Sequence, residues 1–110
     1  MKKEVKNFIK MELSLYKLKK AELRNHKINR LADCSYHKML THVVSSIKNA
    51  LAALPDSLRL YAQIRYFRRN TAKSAWIAKK LMVSERTIAR WDAQLLGCIA
   101  VHMGIVKSWE

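Results

Sequence analysis

The sequence predicts an all-α fold, and three observations support that prediction. Its 110 residues include only two glycines and one proline, so few positions interrupt a helix. Half of the residues are hydrophobic, which is enough apolar side chain for a core. No stretch alternates polar and apolar residues between hairpin turns, as strands would. We therefore expect a single domain over residues 1–110, built from four or five helices without a sheet.

A long basic helix is predicted within residues 1–30, from about Lys3 to Asn29, because good helix formers fill this stretch. Val5, Ile9 and Leu13 recur at helical spacing and form an apolar stripe, while most of the lysines lie off this stripe. Further leucines widen the stripe. The helix is therefore expected to contact the rest of the domain or another chain.

The second and third helices are predicted on either side of the single proline. Ser35 is a suitable N-cap for a helix over Tyr36–Ala53. Pro55 is expected at the first helical position of a third helix, which extends to about Arg68. The predicted inner face of this third helix consists of Leu58, Tyr61, Ile64 and either Tyr66 or Phe67.

Two more helices complete the domain within residues 36–104. The fourth begins between Thr71 and Ser74 and ends near Met82. The fifth covers about residues 84–103, and Gly104 would cap its end.

The charge of the chain indicates a polyanionic partner. Lysine and arginine number 22 against 8 acidic residues, a formal net charge of +14. Charge alone cannot separate DNA, RNA and an anionic membrane, so the residue pattern must decide. There is no apolar run long enough for a membrane span and no signal-peptide core, so we expect a cytoplasmic protein without a membrane partner.

The segment Ile77–Trp91 has the spacing of a helix-turn-helix. Ala78 provides the small residue needed where the two helices cross, and Ser84 can cap the second helix or bind a phosphate. Met82 occupies a turn position that often holds glycine because its backbone is left-handed. The apolar positions that should face the core are Ile77, Leu81, Val83, Ile88 and Trp91.

If Ile88 and Trp91 point inward, the opposite side of the fifth helix is available to a DNA groove. Arg86 and Arg90 are four residues apart on that side, so both can reach base edges or phosphates. An ordinary helical hairpin with solvated arginines is the alternative interpretation. The candidate DNA-binding residues are Ser84, Glu85, Arg86, Thr87, Ala89, Arg90, Lys79, Lys80, Lys73, Arg68 and Arg69.

Two stretches of the chain resemble known transcription proteins. They read Leu54-Pro55-x3-Arg59-x4-Ile64-Arg65-Tyr66-Phe67 and Trp76-Ile77-Ala78-x2-Leu81-x-Val83-Ser84-x2-Thr87-x3-Trp91. Both resemble region 4 of bacterial sigma factors and, more closely, phage late-transcription regulators of the ArpU/RinA type, in which the pair Arg90-Trp91 is typical. The resemblance implies a regulator, usually an activator, of late promoters on a phage or mobile element in a bacterial host.

Several alternatives remain open at this point. A non-catalytic assembly module, such as a small terminase-like subunit for phage DNA packaging, would use the same helix-turn-helix to hold double-stranded DNA. The sequence does not identify the operator, distinguish an activator from a repressor, or decide whether the chain contacts host RNA polymerase or forms a homodimer. The apolar C-terminal run exceeds one helical face, which indicates either a partner surface or packing under the first helix.

No cofactor, metal or enzymatic activity is expected. The sequence contains no nucleophile elbow, phosphate loop or carboxylate pair on one helical face. The alternative is that two Cys-His pairs bind a zinc ion together, but neither pair has the tight knuckle of a zinc finger. These pairs are Cys34 with His37 and Cys98 with His102.

Overall fold

The computed structural model describes residues 2–26, 34–67 and 73–106, and these ranges are helical without a strand, which confirms the all-α prediction. No helix within them is both long and apolar enough to span a membrane. A π-helical segment, Gln63–Phe67, continues directly from α4. The six α-helices of the described ranges, one more than the upper limit predicted, are α1 (Lys3–Ser14), α2 (Tyr16–His26), α3 (Cys34–Ala53), α4 (Asp56–Ala62), α5 (Ser74–Leu81) and α6 (Glu85–His102).

The additional helix arises because the long N-terminal helix is divided at Leu15, where φ is −94° and ψ is −1°. The Ser14 hydroxyl donates a 3.0 Å hydrogen bond to the Lys10 carbonyl, and such bonds tend to bend helices. The two halves also have different neighbours, since α1 packs on α6 and the π segment whereas α2 packs on α3. A single uninterrupted helix was therefore the wrong prediction. Its predicted end at Asn29 lies outside the described residues.

The predicted start of the next helix needs a correction. α3 begins at Cys34, so Ser35 lies inside the helix and is not its N-cap. Pro55 precedes α4 as the N-cap residue, with φ −61° and ψ 157°, instead of occupying the first helical position. Its ring fixes φ, but the extended ψ leaves Asp56 as the first residue with helical backbone angles, while the Pro55 carbonyl accepts the hydrogen bond of the Arg59 N–H.

The third predicted helix changes its hydrogen-bonding pattern midway. Its first part is α4, and the π segment follows without a break. The inner face was predicted correctly, since Leu58, Tyr61 and Ile64 are buried, and both Tyr66 and Phe67 pack partly buried against the core. The predicted end at Arg68 lies outside the described residues.

The core forms around the C-terminal half of α6. Leu95 and Ile99 are fully buried there, and α1, α3, α4 and α5 all contact α6. From the other helices, Ile9 and Leu13 of α1 and Ile47 of α3 are also fully buried. Packing under the first helix therefore accounts for much of the apolar C-terminal run.

An ion pair spans the junction between α1 and α2. Glu12 is only 5% exposed, and Lys19 Nζ donates to its Oε2 at 2.6 Å. A buried carboxylate is costly unless it is paired, so this contact favours the angle at which the two helices join. Tyr36 of α3 donates a 2.7 Å hydrogen bond to Glu22, which connects α2 to α3.

We expect Leu13→Ala to lower the free energy of unfolding by about 2 to 5 kcal/mol, because it removes a fully buried side chain and leaves a cavity. Met11→Ala is the matched control, since Met11 lies on the same helix but is 52% exposed. Its effect should stay within about 0.5 kcal/mol. Urea denaturation of both variants measures the difference. Equal effects would contradict the packing of α1 on the core.

Candidate nucleic-acid interface

Helices α5 and α6 are joined by a three-residue turn with a left-handed first residue. Met82 has φ 58° and ψ 44°, the only positive φ of a non-glycine residue in the described ranges. Its N–H bonds the Lys79 carbonyl, and the Val83 N–H bonds the Ala78 carbonyl at 3.0 Å. These bonds satisfy carbonyls at the end of α5 and terminate the helix. α5 thus ends at its C-cap residue Met82, close to the end that the sequence predicts.

Ser84 begins α6 as its N-cap. Its extended backbone precedes the helix, and its Oγ accepts a 3.1 Å hydrogen bond from the Thr87 N–H. The hydroxyls of Ser84 and Thr87 also lie 3.0 Å apart, so they hydrogen-bond each other. Two of the candidate DNA-binding residues therefore stabilise the start of α6, and Thr87 is partly buried.

The inner surfaces of α5 and α6 are apolar, as the spacing predicts. Ile77 and Ile88 are buried, and Ala78 is 4% exposed between the two helices. Its single methyl group allows the backbones to approach closely. Trp91 is half-buried, with its ring centroid 6.4 Å from that of Tyr61 in an edge-on arrangement. Leu81 and Val83 are also partly buried against the core.

The outer surface of the first turns of α6 is exposed. Arg86 and Arg90 are exposed on it, and neither forms an ion pair with the described part of the chain. Exposed Glu85 and Ala89 share this surface. The partial positive charge of the helix N-terminus lies at the same end and adds to the arginine charges. We call these four residues the α6 outer face.

All three lysines among the candidate DNA-binding residues are exposed on or beside α5. Lys73 precedes the helix, and Lys79 and Lys80 lie in its last turn. The remaining two candidates, Arg68 and Arg69, lie outside the described residues.

Two contacts around α5 were not predicted. Lys80 Nζ lies 4.9 Å from the ring centroid of Trp76, a cation–π arrangement that holds the ammonium beside a half-exposed indole. Arg65 of the π segment donates a 2.8 Å hydrogen bond to Ser74 Oγ at the start of α5. The four-residue spacing of Trp76 and Lys80 was a usable signal for the first contact.

Asp92 connects α6 to two other elements. Its Oδ1 accepts hydrogen bonds from the hydroxyls of Tyr61, at 2.8 Å, and Tyr66. Its Oδ2 lies 4.0 Å from Lys10 Nζ of α1. Asp92 lies two helical turns after Glu85 and is partly buried, so its three partners help to set the rotation of α6 about its axis.

The hydroxyls of Tyr61 and Tyr66, which donate to Asp92, both have raised pKa values. For both hydroxyls the main cause is burial, and the negative charge of Asp92 and the hydrogen bond to it add to the effect. Arg65 opposes the shift of the pKa at both positions, but does not cancel it. Ionisation of either phenol would remove a donor and place a second negative charge beside the carboxylate.

The described residues include no group of three or more His, Cys, Asp or Glu side chains that could hold a metal ion. Cys98 Sγ lies 3.7 Å from His102 Nδ1, and His102 Nδ1 also lies 2.9 Å from the Cys98 carbonyl oxygen. Burial raises the pKa of the Cys98 thiol. The side chain of Cys34, the other half of the zinc alternative, lies outside the described part of the chain.

Comparison with protein families, curated proteins and solved structures finds no match for this chain. None of these comparisons assigns a function to the α6 outer face.

We expect Met82→Gly to raise the free energy of unfolding by about 0.5 to 1 kcal/mol, because glycine adopts the left-handed backbone without steric cost. Met82 is 84% exposed, so little packing is lost. Met82→Val is the contrasting variant and should destabilise the protein by about 1 kcal/mol, since a β-branched residue strains this conformation. Chemical denaturation measures both, and the same sign for both variants would contradict the left-handed turn.

Tyr66→Phe should lower the free energy of unfolding by about 1.5 to 3 kcal/mol at neutral pH, because it deletes a hydrogen bond to a carboxylate. The pKa of Tyr66 is raised in the folded protein, so the hydroxyl's contribution is present below pH 10.0 and is lost as the pH rises further. The difference between parent and variant should therefore shrink above pH 10.0. Denaturation curves at several pH values check this, and a constant difference would contradict it.

Proposed function

We propose that this chain is a sequence-specific double-stranded DNA-binding protein that regulates transcription, with α5 and α6 acting as a helix-turn-helix. The observation that carries the proposal is the pairing of a capped, exposed α6 N-terminus with a close, apolar contact between the two helices. In this arrangement the second helix enters the major groove with its first turns, while the first helix crosses the backbone.

The α6 outer face has the chemistry of base recognition. Arg86 and Arg90 have the donor geometry for the O6 and N7 acceptors of guanine. Ala89 between them is small enough for close approach and can contact a thymine methyl group. Glu85 accepts hydrogen bonds, for which the amino group of cytosine is the complementary donor. The α6 outer face therefore combines groups that can distinguish bases with positive charge that attracts DNA.

The cations on α5 suit a different task. Lys79 and Lys80 are exposed at the end of the helix that would cross the DNA backbone. Contact with phosphates releases counterions and strengthens binding to every sequence alike. We assign these lysines, together with Lys73, to backbone attachment.

Double-stranded DNA fits this surface better than RNA does. The major groove of B-form DNA is wide enough for an α-helix, whereas that of A-form RNA is too narrow for side chains to read. The formal charge of +14 supplies the long-range attraction that either polyanion would feel. The resemblance to phage late-transcription regulators supports promoter DNA of a phage or mobile element as the target and activation as the outcome.

Selection of bound duplexes from a random DNA pool, at a stated salt concentration, identifies the target sequence. On the selected site, Arg86→Ala and Arg90→Ala should each cost about 1 to 3 kcal/mol and relax the preference at one or two base pairs. Lys79→Ala and Lys80→Ala should instead weaken binding to all sequences and reduce the salt dependence by about one ion each. Titrations of selected and scrambled duplexes at several salt concentrations separate the two behaviours.

Arg24→Ala is the matched control, because it removes one exposed cation from α2 without changing α5 or α6. It should leave the sequence preference unchanged. Equal losses on selected and scrambled duplexes for the Arg86 and Arg90 variants would contradict recognition by α6. That result, combined with assembly of the chain on DNA, would instead favour a packaging subunit. A promoter fusion in a bacterial host then distinguishes activation from repression.

A further inference from the structure

Helix α1 carries a row of lysines on one side. Lys3 and Lys6 are exposed, and the side chain of Lys10 is 44% exposed. An α-helix turns by about 100° per residue, so these three positions lie within about 60° of one another around the axis. Along the axis they extend over about 10 Å, at 1.5 Å per residue. We call Lys3, Lys6 and Lys10 the α1 lysine row.

The way α1 packs on α6 determines which end of the molecule this row faces. Phe8 and Glu12 of α1 line a groove together with Met103, the C-cap residue of α6. Lys10 lies on the opposite side of α1, and its Nζ is 4.0 Å from Oδ2 of Asp92. Asp92 precedes Met103 by about 16 Å along the axis of α6. α1 therefore lies across α6, with the α1 lysine row on the side nearer to the N-terminal half of α6.

Core packing fixes the position of the row relative to the α6 outer face. Ile9 and Leu13 of the same helix are fully buried, and α1 packs on both α6 and the π segment. Contacts that a protein makes with phosphates from a fixed position set its register and orientation on duplex DNA. The α1 lysine row is placed to provide such contacts beside α6.

The spacing of the row suits a DNA backbone. Over about 10 Å of its axis, one strand of duplex DNA presents about three phosphates. Lys3 and Lys6 form no ion pair with the described part of the chain. From these observations we propose that the α1 lysine row is a second attachment site for DNA, which binds backbone phosphates beside the bases that the α6 outer face would read. This inference rests on the DNA binding proposed above and extends the contact beyond α5 and α6.

An anionic membrane is the other surface that would attract these lysines. A helix that binds a membrane surface inserts its apolar face among the lipid headgroups. In α1 that face is already occupied, because Ile9 and Leu13 are fully buried and Val5 packs against the core. A DNA backbone needs only the exposed cations, so it is the partner that this helix favours.

The double variant Lys3→Ala with Lys6→Ala tests the proposal. Its affinity for selected and scrambled duplexes is measured by titration at several salt concentrations. The slope of log affinity against log salt should become shallower by about 0.9 for each lost phosphate contact, which is about 1.8 for the two lysines. Hydroxyl-radical footprinting on the selected duplex should show the loss of one protected stretch of backbone, with the remaining protection and the sequence preference intact.

The double variant Lys38→Ala with Lys48→Ala is the matched control, because it removes two exposed lysines from α3. α3 packs on the other end of α6, where His42 Nε2 lies 3.1 Å from the Met103 carbonyl oxygen. This variant should leave the salt dependence and the footprint unchanged. Thermal melts establish that each variant is folded, and glutamine at both α1 positions replaces alanine if the alanine variant does not fold.

An unchanged salt slope and footprint for the α1 variant would overturn this proposal alone, provided that the parent still prefers its selected site. A parent that binds no duplex would overturn it together with the proposed function. An equal loss in the α3 variant would also overturn it, because the effect would then come from net charge. Binding to phosphatidylserine vesicles that requires Lys3 and Lys6, with duplex binding unaffected by their removal, would assign the row to a membrane instead.

Discussion

Burial of the C-terminal half of α6 is the constraint on which the other contacts depend. Leu95 and Ile99 are completely enclosed, and α1, α3, α4 and α5 all contact α6. The first turns of the same helix carry exposed polar and charged residues. Because an α-helix is stiff over this length, the packing at one end sets the position of the side chains at the other. One helix thereby supplies both the centre of the core and the proposed recognition surface.

Asp92 marks the boundary between these two halves. Burying a carboxylate is costly, but here two phenol hydroxyls donate to it and a lysine lies nearby. Each partner of Asp92 belongs to a different stretch of the chain, so the two hydrogen bonds and the lysine contact form together only when α1, α4 and the π segment are correctly placed against α6. Asp92 and its three partners thus favour one arrangement of these elements over others that would bury the same apolar area.

The parts of the fold that depend on local periodicity could be predicted from the sequence. The inward positions Ile77 and Ile88 and the cap at Ser84 follow from residue type and spacing within two adjacent helices. The left-handed Met82 follows from spacing alone, because residue type would favour glycine there. The exposure of Arg86 and Arg90 follows from the same register. These features need no knowledge of distant residues, which is why the exposed surface of α6 was predictable.

Features that depend on contacts between distant segments could not be predicted in this way. The division at Leu15 reflects different packing partners for α1 and α2, while the helix-forming residues run through it without interruption. Asp92 could not be singled out from the sequence because its tyrosine partners lie 26 and 31 positions away. One surface groove is lined by both Phe8 of α1 and Ile105, which follows α6. Local pattern carries no information about such pairings.

The π segment also limits how the length of this chain can change. A π turn accommodates one residue more than an α turn, and that residue advances the following side chains by about 100° around the helix axis. Tyr66 thereby reaches Asp92, while the Phe67 ring centroid lies 5.4 Å from that of Tyr16. Deleting one residue from Gln63–Phe67 would restore α geometry and misdirect both rings. Natural insertions and deletions, which loops usually absorb, should therefore be excluded from this helical stretch.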